Sequence, residues 1–324
     1  MKIAILGSGS WGTAMGKILA LNGHNEIIWT RDEKVKDSIN NGENPYYLPG
    51  ITLPKNLKAV TDIYKSIENS EIIVLAVPSQ AVRSVLQKID YNNQIIVNLS
   101  KGIEIETGYL MSDVVKEVLK TDNYCTLSGP SHAEEVARDV PTSVVIAGEN
   151  NDTLIKIQKE FSNVSFRIYT NKDLKGVEVS GAVKNIYAIA SGVIDGMGNW
   201  DNTKAALITR ATVEMARIGE YFGGKKETYA GLAGIGDLIV TCTSQHSRNR
   251  YVGEQLGRGK NLEEILEKMN MVAEGIYTVK AVHNIAFKNK IEMPIAEKLF
   301  EVIYKDIEPK KAMHDLMTRS LKSE

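Results

Sequence analysis

The stretch that most constrains this chain is its beginning. Lys2–Leu6 is a short apolar run that passes directly into GSGSWG, Gly7 to Gly12, and Thr13–Asn22 then reads as a helix. A strand, a glycine loop and a helix in immediate succession fit G-x-G-x-x-G. Gly7 allows the tight turn off the strand, Gly9 lets the backbone approach a pyrophosphate, and Gly12 lets the helix pack closely on the sheet. The helix start offers N–H groups and a positive dipole end to phosphate. Glycine turns in other α/β proteins also satisfy the bare pattern. Here it sits between a clear strand and a clear helix, with a second strand, Glu26–Thr30, at βαβ spacing.

The same alternation continues. Further apolar runs at Ile72–Val77, Gln94–Leu99, Tyr124–Leu127, Ser143–Ala147 and Val164–Tyr169 predict strands, mostly rich in Ile and Val as strands buried on both faces are. Helical segments fit between several of them, at Glu33–Asn41, Ala81–Ile89 and Met111–Leu119. Alternation of this kind predicts an α/β fold, an N-terminal doubly wound, mostly parallel sheet of Rossmann type. Past Lys175 the pattern changes to helices: Glu178–Ile194, Thr203–Phe222, Tyr251–Arg258, Leu262–Met269, Thr278–Lys288 and Pro294–Tyr304. Only Leu238–Val240 still looks strand-like. The expected division is therefore a dinucleotide-binding domain, residues 1–175, and an all-α substrate and catalytic domain, residues 176–324. The charged tail from Glu308 to Glu324 reads as solvated.

Composition excludes several function classes. A net charge of −1 and a pI near 6.6 provide no polyanion-binding surface, so nucleic acid is not an expected partner. No apolar stretch approaches the ~20 residues of a membrane span. The apolar run in MKIAIL stops at Gly7, short of the ~7–15 residues of a signal-peptide core. Cys125 and Cys242 form neither a CxxC pair nor a disulfide framework, which points to a reducing cytoplasm. There is no HExxH or Cys/His cluster to hold a metal and no GxSxG nucleophile elbow.

The end of the second strand is where NAD and NADP are told apart. It reads EIIWTRDEK: Arg31, placed to pair with a 2′-phosphate, comes before Asp32, an acid suited to a 2′-hydroxyl. Arg31 also reads as an ordinary surface residue. The order favours NADPH (NADP), with NADH (NAD) accepted.

In the second half, Lys184 is the one charged residue between Val179 and Ile194. An ammonium on an uncharged helix is costly to bury, and burial moves a lysine pKa towards neutrality, where a general acid works well. The alternative is a lysine that snorkels to the surface. Asp237 follows a glycine-rich turn in GLAGIGDLIVTCTS and either holds Lys184 or caps a helix. Ser247, Arg248 and Asn249 precede a helical segment. They form either a phosphate site or an N-cap with a solvated arginine.

GSGSWGTA, VLAVPSQ, NLSKGIE, LSGPSHAEEV, VSGAVKNIYAIASG, GLAGIGDLIVTCTS, SRN and VAEG occur in this order from Gly7 to Glu274. Together they resemble the bacterial type of NAD(P)-dependent glycerol-3-phosphate dehydrogenase, and no motif position departs. The resemblance implies an enzyme reversibly reducing dihydroxyacetone phosphate to sn-glycerol 3-phosphate, feeding glycerophospholipid synthesis, as a cytoplasmic homodimer. It implies that Gly7, Gly9, Ser10, Trp11, Gly12, Arg31, Ala133, Arg248, Val272 and Glu274 contact the cofactor, and Lys101 both cofactor and substrate. Gly129, Ser131, Asp237, Ser247, Arg248 and Asn249 would bind substrate, and Lys184 would be the proton donor and acceptor, with Asp237 and Lys101 in the catalytic group. Two other readings of the residues stay open. One is a dehydrogenase of the same plan acting on a β-hydroxyacid or ketopantoate-like substrate, which would not need the SRN phosphate site. The other is a non-catalytic dinucleotide sensor, which would not need an isolated Lys184.

Overall fold

The computed structural model describes residues 1–269, 272–321 and 323. The chain divides into two units, residues 1–101 with 109–178, and residues 102–108 with 179–324.

In the first unit the strands are β1 Lys2–Leu6, β2 Asn25–Trp29, β3 Glu43–Asn44, β4 Leu48–Thr52, β5 Lys58–Val60, β6 Ile72–Leu75, β7 Ile95–Asn98, β8 Tyr124–Ser128, β9 Thr142–Gly148 and β10 Phe166–Asn171. β3 and β4 form an antiparallel hairpin, and the others make one sheet in the order β10-β9-β8-β7-β6-β1-β2-β5. From β5 to β8 every pairing is parallel; β9 then runs against β8, and β10 alongside β9. The helices here are α1 Ser10–Leu21, α2 Glu33–Asn40, α3 Ile63–Ile67, α4 Val82–Leu86, α5 Met111–Leu119, α6 Ala133–Val136 and α7 Asn151–Phe161.

Alternation within single strands builds the two cores. Ile3 and Ile5 of β1, with Ile72 and Val74 of β6, join the cluster containing Met15 and Ile18 of α1. Ala4 and Leu6, with Ile73 and Leu75, join the opposite cluster with Val82, Val85 and Val114. Both faces are buried, so these strands read as continuous apolar runs. Each such Ile or Leu contributes roughly 1.5–3 kcal/mol of transfer free energy. The strand order reverses between β1 and β6, the switch point where this class of sheet places its ligand.

Several elements differ from expectation for local reasons. Helix α1 begins at Ser10, not Thr13, because Gly9 is its N-cap and the loop itself opens the helix. β5 and the β3–β4 hairpin have no readable alternation, being short and interrupted by Pro45 and Pro49. α7 is announced by Asn150, whose side chain accepts from Asp152 N and Thr153 N, and by Leu154, Ile157 and Phe161 on its buried face. The last strand starts at Phe166; Val164, at its expected start, is fully exposed.

The second unit is helical among the described residues. α8 Leu174–Met197 contains the division between the units, and α9 Asp201–Tyr221, α10 Lys226–Tyr229, α11 Asp237–Thr243, α12 Arg248–Gly257, α13 Leu262–Glu267, α14 Glu274–Asn289, α15 Pro294–Tyr304 and α16 Pro309–Met317 follow. Leu238–Val240 is therefore not a strand but the middle of α11, which buries Leu238 and Cys242 and leaves Ile239 exposed, a helical period. The tail is not wholly solvated either. α16 packs on α15, buries Ala312 and joins Asp315 to Lys298 at 3.0 Å. Lys322 and Glu324 of that tail lie outside the described residues.

One distant side chain completes this unit. α15 lacks a capping side chain of its own at Met293. Glu214 of α9 supplies it, accepting from Ile295 N at 2.7 Å and Ala296 N at 3.2 Å, with the Tyr187 hydroxyl also donating to it. Burial still pushes the Glu214 carboxyl up to about 7. No helix among the described residues is long and apolar enough to cross a membrane.

Candidate active site

Sterics leave no choice of residue at two positions of the glycine loop, Gly7 and Gly12. Gly7 has φ +121°, and a Cβ there would lie 2.5 Å from the carbonyl oxygen of Ala76, just past β6. A Cβ on Gly12 would lie 2.1 Å from the Gly7 carbonyl oxygen. At Gly9 a Cβ would meet nothing within 4 Å: this position faces open space. The intrahelical ladder starts with Thr13 N donating to Gly9 O at 2.9 Å, so the amides ahead of it lie outside the ladder.

Side chains hold this loop from outside. Ser8 Oγ donates to Thr30 Oγ1 at 2.8 Å, linking the loop to the end of β2. Asn44 Nδ2 donates to Ser8 O at 3.0 Å and Thr13 Oγ1 at 2.8 Å, and Ser10 Oγ donates to Tyr47 O at 2.7 Å, so the β3–β4 hairpin braces the loop. Sequence reasoning missed this hairpin because nothing local marks it. The Trp11 indole Nε1 is buried without a hydrogen-bond partner among the described residues. An open position at Gly9, an orphaned indole N–H and a helix start fit a dinucleotide.

Beyond β2, Asp32 is the N-cap of α2, its carboxylate accepting from Lys34 N at 2.8 Å and Val35 N at 3.4 Å. Arg31 is exposed. Elsewhere in this unit Lys101 Nζ donates to Gly129 O at 3.3 Å and Ser131 Oγ donates to the same oxygen at 2.8 Å, so three predicted residues share one carbonyl. Gly129 has φ +141°. Ala133 opens α6 and is buried.

In the second unit Lys184 does not snorkel. Its side chain is 7% exposed, and Nζ donates to Asp237 Oδ1 at 2.5 Å and Thr241 Oγ1 at 2.8 Å. Asp237 follows a π-helical turn, Leu232–Gly236, and its side chain is 2% exposed. A buried ion pair persists where further hydrogen bonds satisfy it, and Thr241 does so, donating in turn to the Asp237 carbonyl oxygen at 2.5 Å. Thr241 was not anticipated. Asp237 and Thr241 are i and i+4 on a helix, a relation hidden while Leu238–Val240 reads as a strand. The neighbouring Cys242 offers no competing nucleophile, since burial pushes its thiol up to about 12.

The SRN segment has a divided character. Ser247 is the N-cap of α12, accepting from Arg250 N at 3.2 Å, and Arg248 is exposed. Asn249 donates to Asn185 Oδ1 at 2.9 Å and accepts from Gly275 N at 2.9 Å. It is thus a strut tying the residue after Lys184 to the start of α14. Glu274 begins that helix, and Val272, two residues earlier, is exposed.

Fold and loop together define a dinucleotide-dependent dehydrogenase with a helical second unit. The chain belongs to the NAD-dependent glycerol-3-phosphate dehydrogenase family: the family's N-terminal profile matches residues 2–154 and its C-terminal profile residues 173–314. It is 48% identical to a glycerol-3-phosphate dehydrogenase [NAD(P)+] of Carboxydothermus hydrogenoformans, over 100% of this chain and 98% of that protein. It is 47% identical to the protein of that name from Thermotoga sp. strain RQ2, over 100% and 99%. The crystal structure of a glycerol-3-phosphate dehydrogenase from Coxiella burnetii superimposes with a TM-score of 0.94 at 39% identity, covering 98% of this chain and 99% of the other. A ketopantoate reductase from Ralstonia eutropha, at 15% identity and TM-score 0.64, shares the fold alone.

Proposed function

We propose that this protein reversibly reduces dihydroxyacetone phosphate to sn-glycerol 3-phosphate with NAD(P)H. The observation that carries the reading is a buried lysine, held by a carboxylate and a hydroxyl, in a chain whose other unit has an open dinucleotide loop. A non-catalytic sensor has no use for such a lysine, and residues 1–175 and 176–324 are assigned as the cofactor and substrate domains.

Gly7, Gly9, Ser10, Trp11 and Gly12 hold the dinucleotide, with Arg31 at the adenosine ribose and Lys101, Ala133, Arg248, Val272 and Glu274 as further contacts. When bound, the reduced nicotinamide supplies the two electrons and the hydrogen that the carbonyl carbon accepts. Lys184 donates a proton from Nζ to the carbonyl oxygen as negative charge develops there, and takes it back in the reverse direction. Asp237 and Thr241 fix the direction of that ammonium. Lys101 adds positive potential, and Gly129, Ser131, Ser247, Arg248 and Asn249 complete the substrate contacts. Asp32 is already engaged in capping α2, which leaves Arg31 to meet a 2′-phosphate and supports a preference for NADPH, with NADH used as well.

The product feeds glycerophospholipid synthesis, and the protein works as a cytoplasmic homodimer, in keeping with two free, buried cysteines. Light scattering tests the dimer. The deciding experiment follows NADPH and NADH absorbance with dihydroxyacetone phosphate. Turnover with both, faster at low NADPH, is expected. Oxidation with ketopantoate but none with dihydroxyacetone phosphate would discard the substrate.

A further inference from the structure

α12, whose first residues are Arg248 and Asn249, sits on α8 in backbone contact. A Cβ on Gly192 would lie 1.9 Å from the Arg250 carbonyl oxygen, and one on Gly253 would lie 1.9 Å from that of Ile189. Contact this close sets how near the helices come, but small residues alone resist sliding poorly. A charge cluster in the last turn of α8 supplies the resistance. Asp195, its side chain 4% exposed, accepts from Arg250 Nε at 2.6 Å and pairs through its other oxygen with Lys204 of α9. Arg250 is therefore held at both ends, its backbone against Gly192 and its guanidinium by Asp195. Its own amide donates to the Ser247 hydroxyl oxygen at 3.2 Å. The pull on Arg250 thus reaches the turn carrying Ser247, Arg248 and Asn249, and Asn249 bonds the residue next to Lys184.

We propose that Asp195 is a positioning residue for the substrate's phosphoryl group, acting through Arg250 to hold the start of α12 in register with Lys184. This rests on the assignment of Ser247 and Arg248 to that phosphoryl group. It also gives Arg250 a task of its own: its guanidinium is held by Asp195 at 2.6 Å, with Glu254 of α12 at 3.8 Å, and it locates the helix.

The test compares Asp195→Asn, Arg250→Met and Lys204→Met with the full-length parent. Steady-state kinetics with dihydroxyacetone phosphate and NADPH are combined with calorimetric titration of sn-glycerol 3-phosphate, at a temperature where all are folded. Asp195→Asn and Arg250→Met raise the KM for dihydroxyacetone phosphate and weaken sn-glycerol 3-phosphate binding about tenfold, with kcat and the KM for NADPH much less changed. Lys204→Met keeps the Asp195–Arg250 contact and stays near the parent in KM. A role in stability alone lowers the melting temperature of all three and leaves KM untouched, which overturns the proposal. So does a lower KM in Asp195→Asn, the result expected if the carboxylate only offsets positive charge near a phosphate. A parent that neither turns over dihydroxyacetone phosphate nor binds sn-glycerol 3-phosphate removes the substrate assignment and this inference with it, whereas a normal parent beside a normal Asp195→Asn removes this inference alone.

Discussion

In the first unit the groups proposed to meet the dinucleotide phosphates lie within six consecutive residues, Gly7 to Gly12, and are largely backbone. In the second, the groups around Lys184 come from Asn185, Asp237, Thr241, Asn249 and Gly275, on four helices, and are largely side chains. The first arrangement is specified by which positions must lack a Cβ. The second is specified by how helices far apart in sequence pack. A backbone site depends on its glycines more than on its side chains, whereas the site around Lys184 depends on its polar side chains and also on close helix packing at Gly275, where a Cβ would lie 2.6 Å from the Asn185 carbonyl oxygen.

The largest expected effect tests the second site. Lys184→Ala loses ~10²–10⁴-fold in kcat while NADPH binding, followed by fluorescence titration, stays near the parent value. Near-normal turnover would remove the lysine from the chemistry. Next comes a pH effect confined to the helical unit. The Glu214 carboxyl has a folded pKa raised to about 7 against an ordinary 4.5, so the folded state holds its proton more tightly than the unfolded one. Stability from this group is complete below pH 4.5, falls as pH rises towards 7, and is lost above it, a span of about 3 kcal/mol at most. Glu214→Gln therefore flattens the fall in melting temperature between pH 5 and pH 8, and an unchanged slope would show that the carboxyl titrates normally.

The loop offers the matching test. Gly9→Ala leaves the melting temperature unchanged, because nothing stands near the added methyl, yet weakens both dinucleotides about tenfold or more by intruding where a phosphate would lie. Loss of stability without loss of affinity would mean the open space is not the cofactor's. The smallest effect is at the end of β2. Arg31→Ala weakens NADPH about threefold to fivefold and leaves NADH unchanged, as suits an exposed charge pair, and equal effects on both would separate Arg31 from the 2′-phosphate.

How much of this was legible follows the same division. The strands of the first unit and the position of α1 could be read because strands buried on both faces, here Ile3 to Leu6 and Ile72 to Leu75, appear as apolar runs, and the loop between them is contiguous. β5 and the β3–β4 hairpin could not, since three residues, or a segment with two prolines, have no period to detect. Lys184 was conspicuous as a lone charge on an uncharged helix, while Thr241 was hidden by reading α11 as a strand. Asn249, grouped with its neighbours as a phosphate ligand, also bridges Asn185 and Gly275, a link that only the packing reveals.

By itself the sequence determined the alternating α/β half, the dinucleotide loop, the helical second half and the choice of Lys184 as the residue to explain. These rest on local periodicity and on residues with special backbone demands, which act over a few positions. Only the tertiary structure decided that Lys184 is buried against Asp237 and Thr241, that Glu214 caps α15, and that Asp195 holds α12. Each is a contact between residues 53 to 82 positions apart in the chain, and no local rule specifies which polar groups meet once helices pack.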